Sequence, residues 1–309
     1  MSAAAAPTRT LFFGSGSVAL PVLTRLLECE LVEVDSVVTA PARPAGRKGV
    51  LTPTPVAELA SRRGLPVRTP RTLRDDAVQA ELRAVGAELV VLADYGRIIP
   101  GAILDLPRHG ALNIHPSLLP RHRGAAPVVG TILAGDTVAG VTVMRMDEGL
   151  DTGPIVAQRE VPLDGNEVTP ELEGRLARMG AELLLEVLPE WLAGRLTAAP
   201  QPEGGATLTR LLRREDGRLD PARPAVELER QVRAYQPWPG TFLEHDGTRL
   251  KVWAASVLHQ EVVVEPGAII LTEGTLGLGT VRGVLRLDEV QPAGKRRMSG
   301  AEYRRGKRL

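Results

Sequence analysis

Residues 12–21, FFGSGSVALP, lead an apolar stretch through a glycine-rich turn into a helical pattern. This is how a β-strand delivers the chain to the first helix of an α/β domain. The same spacing suits a dinucleotide cradle, in which N–H groups at a helix N-terminus hold phosphate and the next strand ends on an acid that binds the ribose. The next strand, EVDSVVTA (33–40), carries its acids Glu33 and Asp35 at the front and ends in Thr39 and Ala40. With that ribose anchor missing, the turn reads as an ordinary strand-to-helix connection.

Outward from this turn the rhythm repeats. Strand patterns at 10–13, 34–39, 66–67, 88–93 and 110–114 alternate with helical patterns from Val18, Pro53 and Asp75, which predicts a parallel, doubly wound sheet. GVTVMRM (140–146) and GPIVAQREVPL (153–163) alternate like a half-buried hairpin, and a long amphipathic helix is expected over 169–192. TAAPQPEGGAT (197–207) then changes the texture to Pro, Gly and Thr. After a helix near 224–235, short strands separated by HDG, EPG and RGV predict a small barrel. The expected division is a catalytic domain over 1–196, a linker over 197–206 and a β-barrel domain over 207–309.

Composition narrows the function. No apolar run is long enough to span a bilayer and the first ten residues lack the form of a signal peptide, so the expectation is a cytoplasmic protein without membrane contact. Cys29 is the only cysteine, which excludes an intrachain disulfide and a cysteine-rich metal site; it reads as a small core residue, and no metal is expected. Up to Ala206, 20 basic residues face 24 acidic ones, whereas beyond it 18 face 13. The basic clusters GKRRM (294–298) and YRRGKRL (303–309) lie in that last third, where they suit either a polyanion or a solvated end.

The chemistry concentrates in GALNIHPSLLPRHRGAAP (110–127). Side chains two apart on a strand share a face, so Asn113 and His115 leave the carboxyl end of a central strand together, where open α/β sheets bind ligands. An amide donor beside an imidazole can hold an oxyanion while the imidazole moves protons, which suggests acyl transfer. The segment Ser117, Leu118, Leu119, Pro120 is stiffened by proline and offers backbone groups. MDEGLDTG (146–153) places Asp147 and Asp151 in a Gly-rich loop from which a carboxylate can orient His115. His109, His122, His245 and His259 read as surface or hydrogen-bonding residues.

LNIHPSLLPRHRGAAP followed by GVTVMRMDEGLDTG resembles the folate-dependent formyltransferases, and RPAGR (43–47), AYQPWPGTF (234–242), LKVWAA (250–255) and QPAGKRRMS (291–299) extend the resemblance, from about Leu11 to Ser299, to those that act on methionyl-tRNA. The resemblance implies a Rossmann-like formyltransferase domain with a mostly parallel sheet and a C-terminal OB-like β-barrel. It implies the catalytic trio Asn113, His115 and Asp151, with 10-formyltetrahydrofolate as donor and methionyl-initiator tRNA as partner. Ser117 to Pro120 and the LADYG segment with Tyr95 would wall the folate pocket. Arg43, Arg47 and Lys48, together with Lys295, Arg296 and Arg297, would contact tRNA. A monomer without an obligate protein partner is expected. An amino-sugar-nucleotide N-formyltransferase is the alternative, because it shares the trio and PWPG; RPAGR, RGAAP and the basic C-terminal third argue against it. Gly16 and Val18 stand where the family has Pro and Phe, which predicts a looser turn, and Asp94 stands where a small residue is usual.

Overall fold

The computed structural model describes residues 6–46, 49–245, 247–258, 264–272 and 274–307. They form two compact units. The first comprises the chain up to Pro127 together with Val138–Val161 and Glu173–Thr209; the second comprises Val128–Thr137, Pro162–Leu172 and the chain from Arg210.

In the first unit, β1 (Thr8–Gly14), α1 (Ala19–Leu27), β2 (Val32–Val38), α2 (Pro55–Arg62), β3 (Val67–Arg68), α3 (Asp76–Ala84), β4 (Leu89–Ala93), α4 (Gly101–Leu104) and β5 (Ala111–His115) follow the predicted alternation. Thr54 and Asp75 start α2 and α3 by accepting hydrogen bonds from Ala57 N–H (3.0 Å) and Ala77 N–H (2.9 Å). After α5 (Pro127–Ala134), β6 (Val138–Arg145) and β7 (Ile155–Pro162) complete a seven-stranded sheet of order β7-β6-β5-β4-β1-β2-β3. The pairs β3–β2, β2–β1, β1–β4 and β4–β5 are parallel and β5–β6 is antiparallel.

Helices on both faces explain why the central strands are apolar without interruption. Along β1, Phe12 faces one core with Leu23 and Leu26 of α1, whereas Leu11 and Phe13 face another with Leu82 of α3 and Ile103 of α4. The first core also holds Leu184 and Leu188 of α6 (Thr169–Leu192), the predicted long helix. Cys29 packs half-buried against it, as expected of a small core residue.

The second unit carries α7 (Ala225–Ala234) and an antiparallel sheet formed by β8 (Thr241–His245), β9 (Thr248–Leu258), β10 (Ile269–Thr272), β11 (Thr275–Gly279) and β12 (Val284–Pro292), in the order β8-β9-β12-β11-β10. The register of β9 against β12 slips between Val252 and Ala255, a bulge that adds the twist an OB-like sheet needs. Its core gathers Leu228 and Val232 with Leu250, Leu276, Leu285 and Leu287, and Tyr303 of α8 (Gly300–Lys307) joins it. Among the described residues no helix is long and apolar enough to cross a membrane.

The strand β5 is held from behind by a close helix crossing. A Cβ on Gly180 of α6 would lie 2.5 Å from Ile114 Cγ2 and 2.9 Å from Val141 Cγ2, whereas one on Gly174 would meet only Arg178 Nη1 at 3.6 Å. Gly180→Val should therefore cost ~1–3 kcal/mol through overpacking. Gly174→Ala should stabilise by up to ~1 kcal/mol through helix propensity. Urea midpoints at constant slope will measure both.

Candidate functional site

The antiparallel partner of β5 fixes where its functional side chains emerge. Asn113 lies opposite Met144 and His115 opposite Thr142 on β6, while Asn113 also pairs in parallel with Leu92 of β4. His115 is buried, and its Nε2 lies 3.0 Å from the carbonyl oxygen of His122, so Nε2 carries the proton and donates it there. Nδ1 is then the nitrogen with a free lone pair. It faces Oδ2 of Asp151 at 3.8 Å, beyond direct hydrogen-bond reach.

Burial pushes the His115 imidazole below its ordinary value, and the Asp151 charge and the His122 carbonyl oppose that shift only in part. The ring is neutral at pH 7 and basic at Nδ1, with a carboxylate placed to stabilise the cation once a proton arrives. Asn113 is half-buried, and its amide has no hydrogen-bond partner among the described residues. An unpartnered amide beside a neutral imidazole can bind a polar oxygen and move a proton next to it.

Asp151 is held by means that the sequence did not reveal. Its Oδ2 accepts the Gly124 N–H at 2.7 Å, and its backbone is left-handed with φ 52°. The splint is Gln201, inside the segment expected to be a linker. Gln201 Nε2 donates to the carbonyls of Asp151 and Gly153, both at 2.8 Å, while its Oε1 accepts from Arg123 Nη2 at 2.6 Å and Nε at 3.1 Å. Beside it Leu208–Thr209 pairs in parallel with Arg123–Gly124, and Thr207 Oγ1 accepts the His122 N–H at 2.8 Å. A cavity of about 560 Å³ is lined by Arg123, Thr152, Pro154 and Gln201, among others. Asp147 caps its own loop through Gly149 N–H and Thr152 Oγ1 and does not approach His115 in any described contact.

The other expected residues are distributed as follows. Ser117, Leu119 and Pro120 are buried and Leu118 is half-buried. Thr142 Oγ1 donates to the Ser117 carbonyl and accepts the Leu119 N–H, Gln158 donates to the Leu119 carbonyl, and Arg121 N–H and Thr207 N–H take the carbonyls of Leu118 and Pro120. The backbone groups expected to meet a ligand are thus largely engaged within the protein, and the segment braces the end of β5. Tyr95 is buried edge-on to Phe13, and its hydroxyl has no hydrogen-bond partner among the described residues. Arg43 is exposed on a hairpin, Arg43–Ala45 against Val50–Thr52; Arg47, Lys48 and His259 lie outside the described residues. In the second unit Lys295, Arg296 and Arg297 are exposed after β12, and the Arg297 guanidinium stacks 3.4 Å from the Trp253 ring centroid, with Lys251 5.7 Å from the same ring. Among the described residues no group of His, Cys, Asp and Glu is gathered to hold a metal.

Gln201→Ala leaves two carbonyls of the Asp151 loop and one guanidinium without their partners. The expected outcome is a loss of ~1–3 kcal/mol and faster amide hydrogen exchange over residues 149–153, with exchange in α7 unchanged. Exchange followed by mass spectrometry will show it.

Comparison with known proteins gives consistent matches. Residues 8–188 match the family model described as formyl transferase, and residues 211–308 match the formyl transferase C-terminal domain. A methionyl-tRNA formyltransferase of Roseiflexus sp. (strain RS-1) is 46% identical over 304 residues, covering 98% of this chain and 94% of the relative. Among solved structures, an N-formyltransferase from Helicobacter canadensis in complex with folinic acid and dTDP-3-aminofucose superposes with a TM-score of 0.68 at 16% identity, covering 93% of this chain and 99% of that one. HypX from Aquifex aeolicus in complex with tetrahydrofolic acid gives a TM-score of 0.60 at 20% identity, covering 96% of this chain and 46% of that one.

Proposed function

The chain belongs to the formyl transferase family, and from that premise we propose how it transfers a formyl group from 10-formyltetrahydrofolate to the α-amine of methionyl-initiator tRNA. The observation that carries the reading is the unpartnered Asn113 amide beside His115, with Asp151 fixed behind the ring. This donor set fits a formyl donor, because a carbonyl oxygen needs an N–H donor and the departing amine proton needs a base. A nucleotide-sugar acceptor is the alternative, and the near-full-length likeness to relatives named for methionyl-tRNA favours the tRNA.

When bound, 10-formyltetrahydrofolate supplies the formyl carbon that the methionyl amine attacks. Asn113 donates its amide N–H to the formyl oxygen as negative charge builds there. His115, neutral at the start, takes up at Nδ1 the proton that the amine sheds on forming the new C–N bond. Asp151 stabilises the resulting imidazolium, and the His122 carbonyl keeps the other ring proton in place throughout. His115 then returns its proton toward the leaving nitrogen. Ser117 to Pro120 hold β5 at this height, and the LADYG backbone borders the donor's ring system.

We take the first unit to carry the transfer and the second to grip tRNA, with Arg43, Arg47 and Lys48 contributing charge toward the acceptor end. Lys295 and Arg296 offer their charge to phosphates, whereas Arg297, stacked on Trp253, presents a fixed cationic surface. The enzyme is read as a cytoplasmic monomer without an obligate protein partner.

Asn113→Ala should lower kcat by ~10²–10³ with folate binding nearly unchanged, as for the loss of one oxyanion donor. Near-normal turnover in a folded variant removes Asn113 from the mechanism. The pH profile tests the base. A neutral His115 must stay unprotonated to work, so kcat/KM falls as pH drops through its lowered pKa; Asp151→Asn, which removes the charge that raises that pKa, should shift the acidic limb to still lower pH while reducing the rate. A limb that stays in place assigns it to another group.

Neutralising Lys295 and Arg296 together should weaken tRNA binding and flatten its dependence on log salt by roughly 0.7–0.9 per lost phosphate contact, with folate affinity intact. Filter binding at several salt concentrations reads the slope.

A further inference from the structure

The Asp151 oxygen that faces the reacting imidazole is shared between two nitrogens. Oδ2 lies 3.8 Å from His115 Nδ1, yet it is only 2.7 Å from the Gly124 nitrogen, whose N–H it accepts. While the ring is neutral with its proton on Nε2, Nδ1 and Oδ2 both present lone pairs and cannot bond to one another. Gly124 is therefore the partner that the carboxylate needs in the resting site. Once Nδ1 takes a proton it becomes a donor, and Oδ2 must close by roughly 1 Å to reach the length of a charge-assisted hydrogen bond.

The Gly124 N–H is fixed from the far end of its own peptide unit. That unit is planar, so the Arg123 carbonyl and the Gly124 N–H turn together. Thr209 Oγ1 donates to the Arg123 carbonyl at 3.0 Å and accepts the Ala126 N–H at 3.1 Å, which clips the chain on both sides of Gly124. The backbone of residues 207–209 adds a rail: Arg123 N–H donates to the Thr207 carbonyl at 2.9 Å, and Thr209 pairs with Gly124. Only a residue without a side chain admits this rail, because the Gly124 φ is 105° and a Cβ there would stand 2.2 Å from the Thr209 carbonyl oxygen. The hydrogen bond at the Arg123 carbonyl also polarises the peptide and strengthens its N–H as a donor to Asp151.

We propose that Thr209 is a positioning residue for the proton transfer: by clamping the Arg123–Gly124 peptide it keeps the Asp151 carboxylate on the Gly124 N–H and off His115 until the ring is protonated. The titratable groups that face the ring are Asp151 and His122, and the Arg123 guanidinium is turned to Gln201 Oε1 at 2.6 Å. With the peptide unclamped, the Gly124 N–H can rotate away from Asp151, and the donor that Oδ2 then faces is a protonated Nδ1. His115 holds its proton more tightly in that case, and its titration moves up toward the ordinary value from which burial has lowered it. A base that must be neutral to act is then lost at a higher pH. This rests on the formyl-transfer reading only in calling His115 the base, and the test below follows protonation without substrate, so the two can fail separately.

The experiment titrates the full-length chain, labelled with 15N-histidine and free of folate and tRNA, by NMR. The His115 resonances are identified by their loss in His115→Gln. Thr209→Val keeps the branched shape and removes the hydroxyl; its His115 midpoint is expected to rise by on the order of half a pH unit, and the acidic limb of kcat/KM to rise with it. Thr209→Ser, which restores the hydroxyl, should bring both back to wild type. A folded Thr209→Val whose His115 midpoint is unmoved or lower overturns the proposal, as does a Thr209→Ser midpoint that stays with that of the valine variant. A midpoint that rises while the limb stays in place supports the clamp and removes His115 as the base. Should Thr209→Val not fold, Thr209→Ala also lacks the hydroxyl, and an unmoved midpoint there overturns the proposal equally.

Discussion

The hydrogen bond from His115 Nε2 to the carbonyl of His122 decides what the rest of the site can do. It is buried, so breaking it would strand a polar group without water. It commits one ring nitrogen to structure and leaves the other for proton transfer. To deliver that carbonyl, the chain must double back within seven residues of β5, and this explains the density of support around it. Thr142 and Gln158 clamp the returning loop, His122 adopts a left-handed backbone at φ 57°, and Thr207 holds its N–H. These residues are as necessary to the imidazole's orientation as Asp151, although none of them is a reacting group.

Two strands away in the same sheet, the turn at the carboxyl end of β1 is closed by the protein's own groups. A strand, a Gly-rich turn and a helix N-terminus leave backbone N–H groups that need partners. The Asp94 carbonyl takes the Ser15 and Gly16 N–H groups, and Gly16 leaves the room that the Asp94 side chain occupies.

The parts of this architecture legible in the sequence are those with local causes. The alternation of apolar runs and helical patterns located the strands from β1 to β5, because a sheet covered on both faces demands apolar residues throughout. Asn113 and His115 were legible because two-residue spacing on a strand is itself geometry. Asp151 was legible through resemblance, but its support was not. Gln201 lies in a stretch of Pro and Gly that reads as connection, and its partners Arg123 and Asp151 are 78 and 50 residues away. His122 was set aside as ordinary because its contribution is a backbone carbonyl, which every residue type has. Tyr95 and Ser117 to Pro120 were placed at the folate pocket by resemblance alone; that Tyr95 packs edge-on to Phe13, and that Thr142 and Gln158 hold the backbone of 117–120, had no signal in the sequence. Only the fold could show the pairing of Gly16 with Asp94, since it joins two loops across two strands.

The splint formed by residues 199–209 also bears on the order in which the molecule comes to exist. Ala199 bridges to Ile155, Gln201 ties Asp151 to Arg123, and Thr207 and Thr209 meet the loop after β5. A nascent chain emerging from the ribosome therefore displays Asn113, His115 and Asp151 long before they are fixed as a working set. During that interval the loop that orients the imidazole lacks the Gln201 and Thr207 hydrogen bonds. The last ten or so residues of the first unit are therefore the last to arrive of the contacts that hold the Asp151 loop, and a chain ending with α6 would lack the hydrogen bonds from Gln201 and Thr207.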